Sequence, residues 1–146
     1  MRRILVLVAF ILLMMPAAAR AAATCSVTAT TLAFGTVAFS EVTSTSTVKV
    51  TCSGGAVSYT VALSTGNGSY TQREMKSGSH ILDYNIYTNS GHTTIWGNGS
   101  SGNSTNGGSF TASGGNTSFT AYGEVPAQAG PASGSYTDSI TVTVTY

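Results

Sequence analysis

The closing stretch, Tyr136-Thr-Asp-Ser-Ile-Thr-Val-Thr-Val-Thr-Tyr146, constrains the fold more than any other part of the chain. Ile140, Val142, Val144 and Tyr146 fall on one face, and Thr141, Thr143 and Thr145 on the other. Strict period-two alternation of β-branched residues marks a half-buried strand. No residue follows Tyr146 to turn back and cover the apolar face. The strand's partner is therefore expected from earlier in the chain or from another molecule. On this reading the strand borders an unfilled groove in an incomplete β-sandwich.

At the other end, residues 1–23 read as a segment outside the fold. Arg2 and Arg3 precede an apolar run, Ile4 to Met15, which gives way to Pro16 and a series of alanines. A charged start, a short apolar centre and a small-residue exit describe a secretory signal peptide. The run is too short to span a bilayer, which takes about 20 apolar residues. Cleavage after Ala19, Ala21 or Ala23 fits equally. The mature chain, taken as 24–146, has the size of one immunoglobulin-like domain. It keeps Lys49, Arg73 and Lys76 against Glu41, Glu74, Asp83, Glu124 and Asp138. So few basic residues make no electrostatic footprint for nucleic acid and no polybasic patch for anionic lipid.

Cys25 and Cys52, the two cysteines, most simply form one disulfide in an exported chain. They have no Cys-x-x-Cys spacing, and His80 and His92 lack the spacing of a metal site.

From Cys25 onward the chain reads as short β segments separated by Gly, Asn, Ser and Thr. Strands are expected over Cys25–Phe34, Ser46–Cys52, Val57–Ser64, Tyr70–Met75, His80–Thr88, Ser109–Ala112, Ser118–Val125 and Tyr136–Tyr146. Val48, Val50 and Cys52 share an inward face, as do Val57, Tyr59, Val61 and Leu63, and Leu82, Tyr84 and Ile86. Residues Gly97–Ser109 are all Gly, Asn, Ser or Thr and read as a solvated loop. No helical period is sustained. The expectation is an all-β sandwich with one disulfide.

Several residues in order carry a resemblance: Cys25, Phe34-Gly35, Cys52, Arg73-Glu-Met75, Leu82-Asp-Tyr84, Tyr87, Trp96-Gly97, Tyr122-Gly123 and Gly134-Ser-Tyr136-Thr-Asp138. Together they resemble spore coat protein U domains, the pilin-like subunits of archaic chaperone–usher fimbriae, over essentially the whole mature chain. The resemblance implies an incomplete immunoglobulin-like β-sandwich lacking its last strand. It implies partners too: a periplasmic pilus chaperone that lends a strand, other pilin subunits whose N-terminal extension replaces it, and an outer-membrane usher. Such a protein passes through the periplasm to the cell surface, as a fimbrial subunit serving adhesion and biofilm growth. Strand addition of this kind takes affinity from main-chain hydrogen bonds and specificity from side-chain pockets.

Four or five large apolar side chains left facing an open cleft forgo roughly 1.5–3 kcal/mol each. That total rivals a domain's net stability of about 5–15 kcal/mol. The groove is expected to be lined by Leu32 and Phe34 from the first strand, and by Ile140, Val142, Val144 and Tyr146 from the last. A shaft subunit needs a donor segment of strand length at its start, and the sequence offers little ahead of Cys25. The expectation is a terminal or tip position, or a relative that does not polymerise.

No catalytic signature is present: no Gly-x-Ser-x-Gly, no phosphate-binding glycine loop, no His-Glu-x-x-His. No cofactor or metal and no stable membrane insertion is expected, and the protein reads as non-enzymatic. Arg73 could serve a ligand, although a surface ion pair with Glu74 or another acid is the commoner case. The alternative function is a self-contained β-sandwich adhesin or carbohydrate-binding module. Tyr87 and Trp96, beside the polar loop, would then stack against sugars, although a core tryptophan is the usual case in a sandwich.

Overall fold

The computed structural model describes residues 21–146 apart from 101, 112 and 113. The signal peptide expected at the start thus lies almost wholly outside the described residues. Among the described residues eight strands form: β1 (Thr24–Ala29), β2 (Val42–Ser53), β3 (Val57–Leu63), β4 (Arg73–Ser77), β5 (His80–Tyr87), β6 (Asn106–Phe110), β7 (Gly115–Val125) and β8 (Val142–Thr145). They make two sheets, one ordered β1-β2-β7-β5-β4 and the other β6-β3-β8. Among the described residues no helix is long and apolar enough to cross a membrane.

The inward residues are the ones the alternation predicts. Val48, Val50 and Cys52 of β2 face Tyr59, Val61 and Leu63 of β3 across the sandwich, with Leu82, Tyr84 and Ile86 of β5 beside them. β2 and β7 form the longest ladder, from Val42↔Val125 to Cys52↔Gly115. Cys25 is bonded to Cys52, and the two are direct partners in the β1–β2 register. The disulfide therefore fastens an edge strand to its inner neighbour in the sheet.

Three expectations are corrected by tertiary contacts. The first strand was expected to run to Phe34, yet β1 stops at Ala29, because the chain there leaves β2 to fold Leu32 and Phe34 inward. Residues Gly97–Ser109 are not all loop, since β6 begins at Asn106 and pairs with β3 from Val61↔Asn106 to Val57↔Phe110. Its glycines suit a close approach: a Cβ on Gly107 would sit 2.5 Å from the Tyr59 carbonyl oxygen. The last strand, expected from Tyr136, pairs as β8 only from Val142, because its first half belongs to the other sheet. There Thr137 exchanges backbone hydrogen bonds with Lys76 of β4, 2.9 and 3.0 Å.

Candidate functional site: a groove between two open edges

β1 and its continuation to Val37 form one wall. Past Ala29 this segment is tethered to β2 by isolated bonds. Thr30 donates its backbone N–H to the Thr47 carbonyl at 3.0 Å, and the Ser44 hydroxyl donates to the Ala33 carbonyl at 2.6 Å. Leu32 and Phe34 then lie over Gly123 of β7, where a Cβ would come within 2.7 Å of Leu32 and 2.8 Å of Phe34. Glycine at 123 is thus what lets this wall sit down on the sheet. The Phe34 ring meets Tyr84 edge-on, with centroids 5.8 Å apart.

The chain from Pro131 to β8 forms the facing wall. After Thr137 it crosses from one sheet to the other. Ser64 donates its N–H to the Thr141 carbonyl at 3.0 Å, and β8 then pairs with β3 from Leu63↔Val142 to Thr60↔Thr145. Among the described residues β1 has β2 as its ladder partner and β8 has β3. No ladder joins β1 to β8 among these residues, so each keeps a free edge, and the two strands lie close to one another across the open side of the sandwich.

Between these walls lie two cavities, of about 740 Å³ and about 280 Å³. Thr31, Leu32 and Asp138 border both, so the two are compartments of one groove. Its floor is core: Val48, Leu63, Ile86 and Ala121 under the smaller compartment, Leu82 and Tyr84 under the larger. Its walls are half-buried. Leu32, Phe34, Val37, Ile140 and Val142 pack against the core without being closed over.

Of the six residues expected to line the groove, the structure brings four together: Leu32, Phe34, Ile140 and Val142. Val144, opposite Val61 in β8, packs against the core and borders neither cavity. Tyr146 lies past the end of β8 and is 54% exposed. Sequence reasoning missed Met75, Tyr84 and Asp138 as lining residues. The motifs Arg73-Glu-Met75, Leu82-Asp-Tyr84 and Thr137-Asp138 contained them, but periodicity assigns an inward residue to the core without saying whether the core there is covered.

Trp96 takes the core role usual for a sandwich tryptophan rather than the sugar-stacking one, since it is fully buried. Its indole N–H donates to the Val61 carbonyl at 2.8 Å, and its ring packs edge-on against Phe119. A core tryptophan satisfied in this way presents no face to a ligand. Tyr87 is half-buried under His92, centroids 5.2 Å apart. The alternative function thereby loses its main residue.

The surface ion pair expected of Arg73 is likewise replaced. Arg73 is fully buried, and Glu74 lies instead 3.9 Å from Lys76. The Arg73 guanidinium donates to the Ser64 carbonyl (2.8 and 3.1 Å), the Trp96 carbonyl (2.7 Å) and Asn85 Oδ1 (2.6 Å). Burial lowers its pKa from the ordinary arginine value. Next to it, the Tyr84 hydroxyl donates to Asp138 Oδ2 at 2.8 Å. Burial first, and that hydrogen bond second, push the Tyr84 pKa well above the ordinary tyrosine range. Among the described residues no group of His, Cys, Asp and Glu could hold a metal ion.

A two-sheet sandwich with one disulfide and an apolar groove between two unpaired edges defines a class: all-β domains of the pilin-subunit type. The Spore Coat Protein U domain model matches residues 11–143, and the chain belongs to that family. Among solved structures it is similar to a chain of the CsuC–CsuE chaperone–tip adhesion subunit pre-assembly complex from archaic chaperone–usher Csu pili of Acinetobacter baumannii. The TM-score is 0.58 at 27% identity, over 86% of this chain and 40% of that one. This chain thus spans about two fifths of the length of the chain it matches. No curated protein matches it.

Proposed function

We propose that this protein is an exported, non-enzymatic subunit of a chaperone–usher surface fibre, and that its groove accepts a strand from another molecule. The observation that carries this is the pair of facing free edges, β1 with its continuation and β8, over an apolar floor. A strand laid between them would find backbone donors and acceptors on β8 and half-buried side chains on both sides. That is strand addition, with ladder bonds supplying affinity and alternate pockets supplying specificity. The likeness to a chaperone–subunit complex supports a periplasmic chaperone as the first occupant. Family membership supports other subunits as later ones, and an outer-membrane usher as the assembly site. On this reading the mature domain is 24–146, and the protein travels from the periplasm to the cell surface. A terminal or tip position belongs to the same proposal and rests on the tip subunit in the similar complex.

Native mass spectrometry of the protein recovered from its host's periplasm tests this. The expected result is a one-to-one complex with a chaperone-sized partner, dissociated when Ile140 and Val142 are both changed to Asp. A stable free monomer with its disulfide formed would overturn the proposal.

A further inference from the structure

Of the described residues that line the groove, Asp138 alone carries a charge. It borders both compartments, so the residue stands where they join. Its position is set from several directions. Oδ1 accepts the backbone N–H groups of Asn67 at 3.0 Å and Ser139 at 2.7 Å, and Oδ2 accepts the Tyr84 hydroxyl at 2.8 Å. Gly66 has a φ of +63°, and a Cβ there would collide with the carboxylate. Turn, strand and hydroxyl are thus shaped around this one group.

Three neutral donors do not neutralise it. A carboxylate has about four acceptor sites, and among the described residues no cation is paired with Asp138. Arg73, its cationic neighbour in the core, directs its N–H groups at Ser64, Trp96 and Asn85. In the open groove Asp138 is half-buried and reaches water. A strand laid over it removes that water, and burying a charge without a counter-charge is strongly unfavourable.

We infer that Asp138 dictates the chemistry of the occupant. The strand that fills this groove presents apolar side chains at its other inward positions and, opposite Asp138, one that donates hydrogen bonds, a lysine or arginine being the best match. This rests on the strand-accepting reading above. A charged position inside an apolar groove also fixes register, because sliding the strand by two residues leaves the cation against Leu32 or Ile140.

A peptide scan tests it on the purified mature protein. Fluorescein-labelled ten-residue peptides alternate Val and Thr, and a single Lys replaces each Val in turn. Binding is read by fluorescence anisotropy. One Lys position is expected to bind about tenfold tighter than the others, a difference of one decade in Kd. That preference should shrink as salt is raised from about 0.05 to about 0.5 M and vanish in Asp138→Asn. Should that variant not fold, the salt dependence of the unaltered protein decides alone. If Lys weakens binding equally at every position, or the all-Val peptide is tightest, the inference is overturned while the groove reading stands. If no peptide binds, the groove reading fails and takes this inference with it.

Discussion

Arg73 shows how a single side chain can tie a strand and its ladder partner, β4 and β5, to parts of the sandwich with which β4 shares no ladder. It sits at the start of β4 and reaches the end of β3 through Ser64, the segment after β5 through Trp96, and β5 itself through Asn85. Asn85 in turn donates to the Tyr70 and Thr71 carbonyls. Removing the guanidinium would take buried hydrogen bonds from all three acceptors. Arg73→Met should therefore lower stability by about 3 kcal/mol in urea denaturation. Arg73→Lys should recover less than half of that, because an ammonium cannot span the same three acceptors as a planar fork.

Tyr84 adds a pH dependence at the same scale. Its pKa is raised in the folded protein, so the native state keeps a proton that an unfolded tyrosine releases near pH 10. Its contribution is complete below that pH and declines above it, by about 1.4 kcal/mol per pH unit. Tyr87, raised by burial and then by Glu124, acts in the same direction. The urea midpoint should fall between about pH 9 and about pH 11. Tyr84→Phe should flatten that fall, and an unchanged slope would place the titrating group elsewhere.

Among the elements, β6 is the hardest to read from sequence. Gly, Asn and Ser argue for a loop by propensity, and what makes Asn106–Phe110 a strand is the neighbour it lies on. Tyr59 supplies both the backbone ladder and a ring that stacks on Phe110, centroids 5.1 Å apart. Gly107→Val tests whether close approach sets the residue choice. β-propensity alone favours valine, but overpacking against the Tyr59 carbonyl should make it destabilising by about 1–3 kcal/mol, read as a lower thermal midpoint. β2 and β5 are legible because their alternation is sustained and its inward residues Val48, Val50 and Cys52, and Leu82, Tyr84 and Ile86, are buried. β1 and the last strand are legible in pattern but not in extent. Both keep their alternation past the point where their ladders end, at Ala29 and before Val142. Side-chain alternation records which way residues face, and does not record whether a partner strand is present.

For the molecule as a whole, the groove is both an incomplete core and a pair of unprotected edges, a combination prone to strand addition. Supplying the strand within the chain should stabilise it. A strand of alternating apolar residues, joined after Tyr146 by a two-residue turn, would run back along the free edge of β8. It should raise stability by about 5 kcal/mol, from the completed burial of four half-buried side chains, with the protein monomeric in sedimentation. The same extension with its apolar positions changed to Ser should add nothing. Equal stabilisation by both would mean that the groove is not where the added strand sits.

Period-two alternation, the paired cysteines and the spacing of turn residues determined the all-β class, the disulfide and most of the inward residues. Each is a property of neighbouring residues, so the sequence carries it directly. Only the tertiary structure decided that Trp96 and Arg73 are interior, that Gly107 and Gly123 are contact points, and that Val144 and Tyr146 lie outside the groove. It also decided that Asp138 stands at the joint of the two compartments. These depend on which strands meet across the sandwich, and residues brought together from distant parts of the chain leave no period in the sequence.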